Sequence, residues 1–504
     1  MIKIPFKKSP IEFNQRMLFP SNIFDILSDD HESYVFSDIF QQLDTTSIES
    51  KYKVEGQNAY HPKLIVSILI YSYSRGIFSS RKIQRRCNED LSFMYIAQMN
   101  CPNFRVLSDF RKDNIDFFHS CFKQTVKLAI QLGLASLCHV SLDGSKFKAN
   151  SSKHKAMSYK HLKHQEKQLS DEINSLIKKA NLCDEQEDKT YKEKTGYEMP
   201  EDLKFKQDRL NKIQAAKQAL EKREQELNPN KEIDDKKQIS FSDHDARIMG
   251  KKGGDFDYKY NAQINTDSDN QIIVGQHVSQ KANDTQEVEP ALDSIKQAAE
   301  KLPEKLSADN GYMSGENLQK LEDSKIDCYI AINKGEKKPK ESLEENNRSL
   351  VKADFKYDEK NDEFICPGKQ ILTLVKENKD GSKRYKTDIE KCNKCEYKNR
   401  CSKSKKGDSR TISTDANEPL RRKMNDKMEL KESKVIYKER KVIVEPVFGQ
   451  IKNNGFRGFG LRGIEKVKGE FSLVCATHNI KKIVKNIVGG LVRQKFEKLI
   501  IKSN

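Results

Sequence analysis

YNAQINTD at 260–267 and QIIVGQHVSQ at 271–280 decide the fold class. Apolar and polar residues alternate in both, as in strands with one buried face, and the polar residues 267–270 between them read as a hairpin turn. Working outward, the pattern predicts a helix over 288–302, a short apolar run KLSADNGY at 305–312, and another strand at CYIAI, 328–332. Upstream, HVSLDGSKFKANSS at 139–152 alternates Val140 and Leu142 with polar positions until Asp143 and Gly144 end the run. Strand, hairpin, helix and strand together indicate an α/β sheet.

Helices flank that sheet. Residues 35–135 carry apolar positions at helical spacing, in LIVSILIYSYSRGIFSSRKIQRRC and again in FFHSCFKQTVKLAIQLGLASL. Ser79 and Ser80 precede a run rich in Arg and Lys and can cap a short basic helix. Helix, tight turn and basic helix can present a face to a DNA groove, although ordinary helical packing gives the same pattern.

Two stretches interrupt the α/β pattern. Residues 155–239 are highly charged, with Leu162, Leu169 and Leu176 recurring every seven, as do Ile213, Leu220 and Leu227. Two such helices joined by TGYEMPEDLK predict an antiparallel coiled-coil hairpin. Residues 334–415 hold Cys366, Cys392, Cys395 and Cys401, with a Cys-x-x-Cys at their centre. One turn can supply two of the four thiolates that structural zinc prefers, so zinc and four free thiols both stay open. The other seven of the eleven cysteines stand singly and suit buried positions.

A chain of 504 residues is too long for one ordinary core. No stretch suggests a membrane span: the best apolar run, 64–73, is interrupted by Ser67 and Ser72 and is about half the length a bilayer requires. The N-terminus has lysines but no apolar run behind them, so no secretory signal is expected and the chain is placed in the cytoplasm. Net charge is +17, and residues 431–504 hold 17 Lys or Arg against 6 Asp or Glu. That distribution suits a polyanion, and nucleic acid ahead of an anionic membrane, since no strongly amphipathic anchor helix is evident.

Phosphodiester cleavage needs an activated oxygen nucleophile, a stabilised leaving oxygen and neutralised charge at phosphorus. Two divalent ions held by carboxylates supply all three. Asp143 and Asp309, each at a strand end, and Glu445, in the late helical region, fit that need. YKERKVIVEPVFGQIK at 437–452 then resembles the Tyr-Arg-Glu-Lys signature of DDE transposases from bacterial insertion sequences, through Tyr437, Arg440, Glu445 and Lys452. The Arg-to-Glu spacing is one residue longer than usual, and Lys441 would restore it. LDGSKFKANSS and ADNGYMS look like the segments bearing the first and second aspartates, and GFRGFGLRGIEKVKGEFSLVCATHNIKKI like the C-terminal segment. The helical N-terminal region resembles the domain that precedes the catalytic part in one large branch.

The resemblance implies a ribonuclease-H-like catalytic fold and two Mg²⁺ (or Mn²⁺) ions on Asp143, Asp309 and Glu445. It implies cleavage that exposes 3′-hydroxyls at the element's terminal repeats and their attack on target DNA, with a homodimer expected on double-stranded DNA in the bacterial nucleoid. Tyr437, Arg440 or Lys441, and Lys452 would sit against phosphates. The spacing puts 437, 441, 445, 448 and 452 on one face if the helix is continuous, which Pro446 opposes. The expected division is a helical domain over 1–135, a catalytic domain from 136–154, 240–333 and 416–490, insertions at 155–239 and 334–415, and a basic tail at 491–504. An inactive DNA-binding relative, or a nuclease or resolvase of the same fold, is the alternative. The basic end predicts that duplex affinity falls steeply with salt, by about 0.9 in log K per log salt for each phosphate contact; a binding titration with a flat salt response would rule this out.

Overall fold

The structure is a computed structural model and describes residues 22–52, 59–151, 156–187, 201–250, 256–331, 348–402, 404 and 408–503. The chain divides into two compact units, Met1–Arg111 with Ile483–Asn504, and Lys112–Lys482.

The first unit is helical. Its centre is α2 (Pro62–Ser74), apolar nearly all round and buried along its length, which α1 (Glu32–Gln41) covers through Phe36, Ile39 and Phe40. Gly76 turns the chain after α2 with φ +74°, a conformation that glycine adopts at little cost. α3 (Ser80–Glu89) follows, with Ser79 at the cap position but making no side-chain capping bond. It buries Ile83 and Cys87 and exposes Arg81, Lys82, Arg85 and Arg86. α4 (Leu91–Ile96) and α5 (Phe104–Asp113) continue the helical order. The segment expected as a basic tail contains a helix, Arg493–Ser503, and groups with this unit.

The second unit begins with α6 (Ile115–Leu132). The expected helical domain reached residue 135, but α6 buries Phe118, Cys121, Val126 and Ala129 and packs against α9 (Val288–Ala299) in the second unit. Its main sheet contains β1 (His139–Lys148), β2 (Arg247–Met249), β3 (Asp257–Asp267), β4 (Ile273–Ser279), β5 (Lys305–Ala308) and β6 (Asp327–Ile330). β3 pairs antiparallel with β1 on one edge and with β4 and β2 on the other; β5 joins β1 in parallel and β6 joins β5 in parallel. The order is therefore β4-β3-β1-β5-β6, a mixed α/β sheet with β1 at its centre.

β1 does not stop at Asp143 and Gly144. β3 is long enough to carry the ladder from Val140↔Asp267 to Lys148↔Lys259, so the strand persists beyond the point where apolar alternation fails. Its odd-numbered face bears Asp143, Ser145 and Phe147. Around Phe147 gather Phe448, Phe456, Phe459 and Phe471, at centroid distances of 6.1, 5.4, 6.0 and 6.2 Å.

The charged stretch forms α7 (Tyr159–Glu187) and α8 (Glu201–Leu227), closed at their base by a two-stranded ribbon of Ala156–Ser158 with Gln238–Ser240. Leu162, Leu169, Ile213 and Leu220 are buried between them, Leu227 is exposed, and the join expected at 195–204 falls largely outside the described residues. The cysteine stretch forms a second sheet, β7 (Lys356–Asp358), β8 (Glu363–Ile365), β9 (Ile371–Glu377), β10 (Lys383–Lys386) and β11 (Thr411–Thr414), paired in sequence order. No helix among the described residues is long and apolar enough to cross a membrane. Phe147 is 1% exposed, so Phe147→Ala should lower the stability of this unit by about 3–5 kcal/mol, read as a drop in the urea or thermal unfolding midpoint; an unchanged midpoint would show that the aromatic cluster does not hold the sheet to its helices.

Candidate active site

β1 and β5 run parallel, and their last paired residues are Leu142 and Ala308. The next residue of each chain segment is an aspartate, so Asp143 and Asp309 lie side by side where the parallel pairing of β1 with β5 ends. Past this point β1 continues against β3, with Gly144 opposite Gln263. A Cβ at 144 would lie 2.3 Å from Gln263 Nε2, so any side chain beside Asp143 would displace the Gln263 amide. Asp309 leaves its strand instead: its carboxylate accepts the Gly311 N–H at 2.8 Å and caps the turn Asn310–Tyr312.

Glu445 arrives from the helices. After α10 (Gly315–Asp323) and α11 (Glu418–Glu429), α12 (Lys431–Ile443) ends before Pro446, and α13 (Glu445–Asn453) starts with the proline in its first turn. No intrahelical N–H donor is needed there, so the proline begins a helix without cost. Residues 437–452 thus span two helices, which corrects the reading of one continuous face. α13 docks on β1 through Phe448 against Phe147, and Lys452 Nζ donates to Ser145 Oγ at 2.7 Å. α12 docks further back on the same sheet: Glu439 meets His139 Nδ1 at 3.1 Å, and His139 Nε2 meets Ser307 Oγ at 3.0 Å.

Arg440 stands between the acids. Its Nη2 donates to Glu445 Oε1 at 2.8 Å and its Nη1 lies 3.4 Å from Asp143 Oδ2, with only 11% of the side chain exposed. Among the described residues its Nε and Nη1 have no acceptor placed for a hydrogen bond. Of the two basic residues in question, Arg440 reaches the carboxylates and Lys441 is exposed. The Tyr437 ring lies 5.9 Å from the Arg440 guanidinium. Burial pushes the Asp143 carboxyl up to about 6; Arg440 opposes this, and the negative charges of Asp309 and Glu445 add to it. Burial also lowers the Lys452 ammonium, against the pull of Asp143.

Sequence reasoning missed a set of side chains behind the aspartates. Asp284 Oδ1 accepts amide protons from Asn261 and Gln263, each at 2.7 Å, and the Tyr312 hydroxyl donates to Gln263 Oε1. A Cβ on Gly311 would come within 2.9 Å of Asp309 Oδ1 and 3.5 Å of Asp284 Oδ2. Burial first, then Asp284, Asp143 and Asp309, raise the Tyr312 phenol well above its usual range. Tyr312 lay inside the quoted ADNGYMS, but Asp284 sits in a polar loop with no periodic signal. Elsewhere, Cys366, Cys392, Cys395 and Cys401 line one cavity of the second sheet unit.

Three carboxylates around one positive group is the donor chemistry that hard divalent cations take. Among the described residues, no three His, Cys, Asp or Glu side chains are already drawn to metal-holding distance; a protein cation, Arg440, occupies the position between Asp143 and Glu445. In donor chemistry alone, the three carboxylates suit divalent ions.

Comparison with protein families places two matches on the chain. Residues 365–484 match the family described as Transposase DDE domain, and residues 21–113 match Transposase domain (DUF772). No curated protein and no solved structure matches the chain.

The raised Asp143 carboxyl fixes the sign of a pH effect. The folded chain holds a proton that the unfolded chain releases, so between about pH 4 and 6 stability falls as pH rises. With a chelator present at pH 7.5, Asp143→Asn should therefore be more stable than the parent, by on the order of 2 kcal/mol, and the difference should shrink toward pH 4. Thermal melts across that range check it; a variant less stable at pH 7.5 would show that the pairing with Arg440 outweighs burial.

Proposed function

The two matches support a DDE transposase of an insertion sequence, and on that premise we propose that this chain cuts DNA at the ends of its element and joins those ends to target DNA. The observation that carries this reading is the meeting of Asp143, Asp309 and Glu445 around Arg440, although they come from distant parts of the chain. The β4-β3-β1-β5-β6 order, with β5 and β6 parallel to β1 and β3 antiparallel to it, is consistent with a ribonuclease-H-like core.

In this reading the three carboxylates hold two Mg²⁺ or Mn²⁺ ions, which supply the charge that lets an oxygen nucleophile attack phosphorus and the leaving oxygen depart. Arg440 and Lys452 flank the acids and face the DNA phosphates. The Arg440 donors without acceptors suit phosphate oxygens, since guanidinium forms paired bonds to them. Tyr437 stands beside the guanidinium, its ring 5.9 Å away. His139 and Glu439 fix α12 on the sheet, so Arg440 is delivered to the acids without a long search among rotamers. The exposed arginines of α3 serve duplex binding in the first unit, and the working form is a homodimer on the terminal repeats.

Asp143→Asn, Asp309→Asn and Glu445→Gln should each bind terminal-repeat DNA with affinity near that of the parent while losing more than about a thousandfold in nicking rate. Any one of them that cleaves at full rate removes that residue from the site. Arg440→Ala should cost about 10²–10³-fold in cleavage and Lys441→Ala little; the reverse ranking would assign the signature position to Lys441. Joining of pre-cut ends to a target plasmid separates transposition from plain nuclease action.

A further inference from the structure

The second sheet unit has a core of six buried residues, Leu350, Phe355, Phe364, Leu372, Tyr385 and Ile412. That is little for a five-stranded sheet, and small units with such cores rely on a staple. Beside this core is a cavity of about 20 Å³, room for one water-sized particle. Its wall contains four thiols, all free: Cys366, Cys392, Cys395 and Cys401.

We propose that these four cysteines bind one zinc ion as a tetrathiolate that staples β8 and β9 to the two short helices Ile389–Asn393 and Lys398–Cys401. The backbone around each sulfur supports this. Cys366 follows β8 in a tight turn in which the Lys369 N–H donates to the Cys366 carbonyl at 2.9 Å and the Gln370 N–H to its sulfur at 3.3 Å. A backbone N–H directed at sulfur favours the thiolate, the form that ligates. Gly368 sits within that turn, where a Cβ would lie 2.9 Å from Cys395 Sγ and 3.6 Å from Cys366 Sγ. The two segments therefore bring their sulfurs together across a residue that has no side chain. The Cys395 N–H donates to the Cys392 carbonyl at 3.2 Å, so the Cys-x-x-Cys is itself one turn.

Charge agrees with this assignment. A zinc tetrathiolate carries two net negative charges, and Lys398 and Arg410 stand in the same wall. Without an ion, burial and the neighbouring sulfurs push the Cys401 thiol up to about 11, with Arg410 opposing. A divalent ion would offset that rise, because it draws the sulfurs into the thiolate form that ligates. The sulfurs line the wall without being drawn to coordination distance, and binding would contract them to about 2.3 Å from the ion.

The test uses the full-length protein purified without chelator. Elemental analysis should find one zinc per chain, and replacement by Co²⁺ should give the intense visible bands and thiolate charge-transfer absorption of a tetrahedral sulfur site. Cys401→His should keep the metal, because three cysteines and one histidine also form a zinc set, whereas Cys395→Ala should lose it. If Cys395→Ala fails to fold, thiol alkylation of the parent decides: these four cysteines should be protected until chelator is added. Less than about half an equivalent of zinc, a cobalt complex without thiolate bands, or equal alkylation with and without chelator would each overturn the assignment. None of these readouts depends on DNA cleavage, so failure here leaves the proposed function untouched.

Discussion

The contact between Phe147 on β1 and Phe448 on α13 sets the register on which the acidic site depends. Alternation along the strand places Asp143, Ser145 and Phe147 on one face, spaced about 7 Å apart at two residues each. On α13 the facing residues are Glu445, Phe448 and Lys452, at helical spacing and spanning about 10 Å. The meeting of the two aromatic rings and the Lys452–Ser145 hydrogen bond hold α13 on β1, and Arg440 then links Glu445 to Asp143. A one-residue slip of β1 would turn the carboxylate to the opposite face, and the burial of Phe147 makes such a slip costly.

Electrostatics then oppose what packing imposes. Three carboxylates are brought together at the edge of a buried sheet, where Asp143 is already raised by burial. Arg440 relieves that crowding at the expense of donors left without acceptors. The resulting arrangement is unsatisfied on both sides: Arg440 and Lys452 face three acids, and the guanidinium has more donors than partners.

Much of this was legible in the sequence because it is local. The hairpin at 260–280, the strand before Asp309 and the helices after Glu418 follow from alternation and helical spacing, and the structure has them within a few residues. The order of short motifs brought the three carboxylates forward. What could not be read depended on partners remote in the chain. β1 continues past Asp143 because β3 supports it, not because its own apolar pattern does. α6 belongs with the sheet because α9 offers it an apolar face. Pro446 warned of a break but could not say that a second helix starts one residue earlier. Asp284 reaches Gln263 across a loop, and no spacing rule connects them.

The small ribbon that pairs Ala156–Ser158 with Gln238–Ser240 has a wider meaning. It brings the departure and return points of the long helical pair to adjacent backbone positions, hydrogen-bonded to each other. Everything beyond it is therefore an appendage on a closed neck. A tight turn joining Ser158 to Gln238 would restore an unbroken path through the sheet without altering any strand order. Material beyond that neck can be shortened or exchanged as a cassette without disturbing the pairing of β1 with β3 and β5.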